Sequence, residues 1–288
     1  MVLRIEDLDG PRVKPEAVAG IQRTLEWLGV TWDGVALVQS SQLAPCVTAM
    51  HRLVRSRHAF PCELSRSQIE AAASAPQEGD AASGFGKEVS FPPHLRPRDW
   101  QAEFDPADER TNWRFITEPG EVAFVDQVAG PQRIDPSGTI GDFIIWTKRR
   151  VPAYQLAVVV DDHRQGVTHV VRGDDLLDSA ARQLLLYRAL GFGPEPQYAH
   201  VPLVVGTDGR RLAKRHGDSR IDMYHEIGVP PEAVIGLIAF WSGVIDTGAP
   251  RRMMSMAEFV TTFRLSTLPR SKVVFTQEDD AWLRSCAH

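Results

Sequence analysis

The stretch "GRRLAKRHGD" at residues 209–218 packs Arg210, Arg211, Lys214, Arg215 and His216 into seven positions. Cations clustered on a loop suit a bound polyphosphate and the negative charge that builds in a transition state. A solvated basic loop fits the same residues, and the Gly-x-x-x-x-Gly-Lys-Ser/Thr spacing of a Walker loop is absent. Charge also gathers at the ends of apolar steps elsewhere. "MVLRIEDLDGPR" follows Val2 and Leu3 with Arg4, Glu6, Asp7 and Asp9, and "VTHVV" runs into Arg172, Gly173, Asp174 and Asp175. The carboxyl ends of strands are where open α/β sheets hold ligands, although polar turns use the same residue types.

Positioning these groups requires strands and helices in alternation. After the opening strand, Val18, Ile21, Leu25 and Leu28 follow helical spacing between Pro15 and Gly29, which completes half of a β/α unit. A second helix is expected over residues 43–57. From there to about residue 135 the chain is rich in Ala, Ser, Gly and Pro and reads as an inserted module with loops. Order returns with "DFIIWTKRR". The apolar run in "AYQLAVVVDDH", ending at Asp161 and Asp162, suits a strand buried on both faces. A strand at 167–171, a helix at 179–190 closed by Gly191, and a strand "AHVPLVV" at 199–205 follow. The pattern predicts an α/β fold with a parallel sheet.

With 288 residues, 43% hydrophobic and 24% charged, the chain has the composition of a globular protein. No apolar run reaches the roughly 18 residues of a membrane helix, and the N-terminus lacks an apolar signal core, so a cytoplasmic protein without membrane contact is expected. Cys46, Cys62 and Cys286 form no Cys-x-x-Cys pair. The net charge of −5 gives no global attraction to nucleic acid, so any such binding needs a local basic surface.

Taken in order, "RIEDLDGPR", "AYQLAVVVDDHRQGVTHVVRGDDLL" and "RLAKRHGD" resemble the catalytic core of glutamyl-type class I aminoacyl-tRNA synthetases. The likeness is strongest over residues 1–57 and 140–220. Beyond 220, "FRLSTLPRSKVVFTQEDDAWL" is similar to the family's helical stem-contact region. The length of the chain is similar to the shorter glutamyl-Q tRNA(Asp) synthetases. The resemblance implies a Rossmann-like core over 1–57 and 151–215, an inserted acceptor-binding module over 58–150, and a stem-contact region over 216–288. It implies glutamate activation with ATP, accompanied by Mg2+, and transfer to the queuosine base of tRNA(Asp) by an enzyme expected to be monomeric. Two other readings of the same likeness are a glutamyl-tRNA synthetase catalytic fragment and a non-catalytic tRNA-binding relative.

Residue by residue, the resemblance makes Glu6 the partner of the substrate ammonium, with an ion pair to Arg4 or Arg12 as the alternative. Tyr154 would contact the amino acid through its hydroxyl. Arg172 would hold a substrate carboxylate in two parallel hydrogen bonds, unless a salt bridge to Asp174 or Asp175 occupies it. Lys214, with Arg211 and Arg215, would bind the ATP phosphates and act in catalysis. Arg211 and Ala213 depart from the family's Lys-Met/Leu-Ser-Lys signature, keeping charge and losing a hydroxyl. The family's zinc-binding cysteines are reduced to Cys62, with Leu64, Phe91 and Leu95 where other ligands would fall, so no structural zinc is expected; His94 is a weak replacement. Cys62 is expected as a buried thiol. In the family a strand and a helix bearing a His-Ile-Gly-His-like signature precede the Arg-Ile-Glu-Asp strand. Their absence before residue 1 suggests a truncated or misassigned start, or lost ATP chemistry. Lys148, Arg149, Arg150, Arg270 and Lys272 are either RNA contacts or ordinary surface.

Overall fold

The computed structural model describes residues 1–10, 13, 15–73, 90–100, 103–210, 212 and 221–287. The chain opens with β1 (Arg4–Ile5), continues through α1 (Pro15–Trp27) and returns along β2 (Leu37–Val38), parallel to β1. Next comes α2 (Ala44–Arg55), where Cys46, Ala49, Met50 and Leu53 recur at helical spacing and are all buried. Pro45 starts this helix, and Arg52 and Arg55 sit against its carbonyl end, where positive charge is favoured.

The middle of the chain contributes two kinds of strand. β3 (Ala59–Cys62) leads through α3 (Arg66–Ala73) to β4 (Asn112–Phe115), the hairpin β5 (Val122–Asp126) and β6 (Gly130–Ile134), α4 (Pro136–Thr139), β7 (Phe143–Thr147) and β8 (Val151–Pro152). β3, β4, β7 and β8 form an antiparallel sheet in that order. Arg96 locks its end: Nε and Nη2 donate to the Asp142 carboxylate at 2.6 and 2.8 Å, and Nη2 also donates to the Thr117 carbonyl at 2.8 Å. The Thr117 amide donates to the same carboxylate at 2.8 Å. Beside it Gly141 adopts φ +68°, and a Cβ there would stand 2.4 Å from the Phe91 carbonyl oxygen, so only glycine fits.

The remaining elements are α5 (Tyr154–Arg164), β9 (His169–Gly173), α6 (Leu177–Ala189), β10 (Gln197–Val201), β11 (Val204–Val205), α7 (Ile221–Glu226), α8 (Pro231–Trp241), α9 (Met256–Thr262), β12 (Val273–Val274) and α10 (Gln277–Ser285). The central sheet has the order β6-β5-β10-β9, with β5, β10 and β9 parallel. β5 thus pairs directly with β10.

Two expectations need correction. "AYQLAVVVDDH" is helix α5 rather than a strand. Residues 155–162 are buried around its whole circumference, among α2, β7 and α6, so the usual helical alternation is missing. Without alternation, a short buried helix and a buried strand look alike. "AHVPLVV" is two strands, β10 and β11, because Pro202 supplies no N–H to a ladder.

The main core joins α2, α5 and α6 to the antiparallel sheet through Met50, Leu53, Ile145, Trp146, Leu156 and Leu186, all nearly inaccessible. Burying each such side chain contributes about 1.5–3 kcal/mol. A second core joins α7, α8 and α10, and Thr276 and Asp279 cap α10 reciprocally. Among the described residues no helix is long and apolar enough to cross a membrane.

Candidate active site

The end of β1 carries the first charged group. Arg4 donates through Nη1 to Asp162 Oδ1 at 2.7 Å and Gln165 Oε1 at 2.9 Å, at the last turn of α5. Its Nε and Nη2 donate to Glu6 Oε1 at 3.2 and 3.0 Å. Glu6 therefore forms the ion pair with Arg4, while its side chain stays 40% exposed and open to a ligand. Burial pushes the Asp162 carboxyl above its ordinary range, with the Arg4 charge opposing. Burial likewise disfavours the charged form of Arg4, but Asp162 and Glu6 more than offset it and raise its value.

Arg172 ends β9. Its Nε donates to His200 Nε2 at 3.0 Å, Nη1 to Gln183 Oε1 at 2.9 Å, and Nη2 to the Leu176 carbonyl at 3.2 Å. The guanidinium also lies over the Tyr198 ring, 5.3 Å from its centre. Gln183 passes the network on to Gln155, whose amide donates to Ser179 Oγ at 3.1 Å. Its acceptors include an imidazole, an amide and a carbonyl, with the Tyr154 hydroxyl as a further hydrogen-bonding neighbour, so the salt bridge to Asp174 or Asp175 is not what holds it.

Tyr154, the first residue of α5, stands beside both charged groups. Burial raises its phenol above the ordinary value, the Arg172 charge lowers it, and the Glu6 charge raises it. Glu6, Tyr154 and Arg172, distant in sequence, are thus within electrostatic reach of one another. A carboxylate, a phenol and a guanidinium so grouped can receive an ammonium and a carboxylate, the charges of an acidic amino acid. Beside Val171 and Val201 lies an apolar cavity of about 540 Å³, walled by Leu237, Trp241, Phe259 and Phe275 of the C-terminal region.

Lys214, Arg211 and Arg215 lie outside the described residues. The chain leads toward them from β11 through a turn in which the Gly209 amide donates to the Gly206 carbonyl at 2.9 Å. Arg149 meets Asp9 at 3.7 Å and Arg150 meets Glu109 at 3.2 Å, both as surface pairs of little energetic weight. Cys62 is buried in an apolar cluster with Phe60, Ile69 and Phe91, and among the described residues no three His, Cys, Asp or Glu side chains converge as metal ligands. The residues found in a zinc ligand's place thus pack as core.

The motifs did not point to Asp162, Gln183 or His200. Asp162 was visible only as the charged end of an apolar run, and His200 as a histidine within a strand.

Comparison with known proteins bears on this cluster. Residues 1–282 match the family described as "tRNA synthetases class I (E and Q), catalytic domain". The chain is 45% identical over 249 residues to the glutamyl-Q tRNA(Asp) synthetase of Rhodopirellula baltica, covering 85% of this chain and 75% of that protein. It is 41% identical over 295 residues to the protein of that name from Symbiobacterium thermophilum, covering 98% of this chain and 87% of that one. A glutamate–tRNA ligase of Synechococcus is 33% identical, and 58% of its length is spanned. The crystal structure of glutamate-tRNA synthetase from Elizabethkingia anophelis shares the fold, with a TM-score of 0.74 at 22% identity, covering 98% of this chain and 62% of that one.

Proposed function

The chain belongs to the class I tRNA synthetases for glutamate and glutamine, and from that premise we propose how its residues divide the work of joining glutamate to tRNA. The reaction has two steps. A glutamate carboxylate oxygen attacks the α-phosphorus of ATP, the bond to the β-phosphate oxygen breaks, and pyrophosphate leaves. A nucleic-acid hydroxyl then attacks the mixed anhydride and AMP departs. Catalysis of this kind is mostly alignment and charge stabilisation.

Glu6 receives the substrate ammonium, Tyr154 contacts the amino acid through its hydroxyl, and Arg172 holds the side-chain carboxylate. Lys214, Arg211 and Arg215 neutralise the phosphates of ATP, which enters as substrate with its Mg2+. The observation that carries this reading is the bonding of Arg172 to three uncharged acceptors, which fixes the cation and leaves its charge for an anionic ligand. The acceptor we assign is the queuosine base of tRNA(Asp) in a cytoplasmic enzyme. Two relatives bearing the glutamyl-Q name are 45% and 41% identical, against 33% for the glutamate–tRNA ligase.

Radiolabelled glutamate, ATP and separately purified RNAs test the assignment. Label should enter queuosine-containing tRNA(Asp) and be absent from tRNA(Asp) lacking the modified base. Label on tRNA(Glu) instead would reassign the acceptor, and RNA binding without label on any RNA would favour a non-catalytic role.

A further inference from the structure

We propose that His200, held by Asp126 as the Nδ1-protonated tautomer, is a positioning residue that sets the plane of the Arg172 guanidinium. The register of the central sheet brings the three groups together. β9 and β10 pair with Arg172 opposite His200, and β5 pairs with β10 through Asp126 opposite Tyr198. His200 Nδ1 is 2.6 Å from Asp126 Oδ2, and both side chains are fully inaccessible.

Two independent constraints select one tautomer. Arg172 Nε can only donate, so His200 Nε2, 3.0 Å away, must be the accepting lone pair. On the other side, Asp126 is built to remain a carboxylate and accept. It receives the backbone amides of Val128 and Ala129 at 3.0 and 2.8 Å, and that of His200 at 3.1 and 3.2 Å to its two oxygens. Burial works against its ionisation, but these bonds prevail and hold its carboxyl below the ordinary range. The Nδ1 proton therefore points to Asp126. Such a carboxylate beneath an imidazole fixes both tautomer and ring orientation.

Fixing Arg172 matters because a carboxylate binds a guanidinium best in its own plane. Gln183 and the Leu176 carbonyl each take one terminal nitrogen, and His200 takes Nε. These three anchors define the plane, with the Tyr154 hydroxyl as a further neighbour of the guanidinium. Without the imidazole, rotation about the Cδ–Nε bond is restrained from the far end alone. Tyr198, stacked on His200 with ring centres 5.9 Å apart, closes the remaining face.

The effect on glutamate rests on the proposed substrate role of Arg172, whereas the tautomer does not, and the experiment separates the two. Long-range proton–nitrogen correlation on the isotope-labelled chain at about pH 8, above the ordinary imidazole range, should give the Nδ1–H pattern for His200. An Nε2–H pattern overturns the proposal. His200→Asn keeps a donor toward Asp126 but loses the acceptor, and His200→Gln places an amide oxygen near the lost Nε2.

The Arg172 Nε–H resonance should shift in His200→Asn and return toward the parent value in His200→Gln. Glutamate affinity by calorimetry should fall about tenfold or more in His200→Asn and stay within about threefold of the parent in His200→Gln. Equal weakening in both variants, or none in either, would make His200 a merely structural residue. If the parent binds no glutamate, the substrate role of Arg172 falls, and the two resonances still decide the role of His200.

Discussion

Arg96 and Arg172 are both anchored arginines with every nitrogen type engaged, yet they do opposite things. Arg96 meets a fully buried carboxylate in two parallel bonds, and its charge is cancelled inside the protein. Arg172 is held as firmly by an imidazole, an amide and a carbonyl, none of which cancels it. Arg172 is half-buried and, among the described residues, donates to no carboxylate, so an incoming anion can pair with it directly. The difference teaches that the acceptors around an arginine, and not its burial, separate a structural lock from a binding group.

The sharpest way to break the contrast is to exchange the consequences. Asp142→Ala leaves Arg96 only the exposed Glu118 carboxylate, 3.4 Å away, and should cost about 3–5 kcal/mol of unfolding free energy by denaturant titration, with glutamate affinity unchanged in whatever protein remains folded. Arg172→Met should do the reverse, weakening glutamate binding by about a hundredfold in calorimetry while the melting temperature moves by only a few degrees. A large loss of stability in Arg172→Met would place it with Arg96. Tyr154→Phe removes one hydroxyl beside the cation, and an affinity loss of about tenfold or less is expected from the same titration.

The smallest effect probes the support beneath Arg172. Because the folded Asp126 carboxyl lies below its ordinary value, its contribution to stability is complete above the unfolded value of about 3.9 and fades as pH falls through the folded one. The melting-temperature difference between the parent and Asp126→Asn should therefore be greatest near neutrality and shrink in strong acid. A difference independent of pH would show that the carboxylate charge is not what steadies the imidazole.

These contacts also explain what was legible beforehand. Helix α2 could be read because its buried residues recur on one face. Helix α5 could not, since burial on every side erases the period. Glu6, Tyr154 and Arg172 were visible as members of motifs, each close to the end of a recognisable run. Asp126 and His200 were not, because 74 positions separate them and only the pairing of β5 with β10 joins them. Arg96 and Asp142 are likewise 46 positions apart, and nothing in "HLRPRDW" distinguishes a lock from a surface cation.

The place of β5 beside β10 limits how this architecture can be shortened or recombined. A deletion that removed the β5–β6 hairpin would expose the flank of β10 and take away the carboxylate that aligns His200. Lineages trimming the middle of the gene, and engineers grafting this half onto another scaffold, therefore share one lower bound. The hairpin has to travel with the strands it borders, because its first strand carries the carboxylate beneath His200.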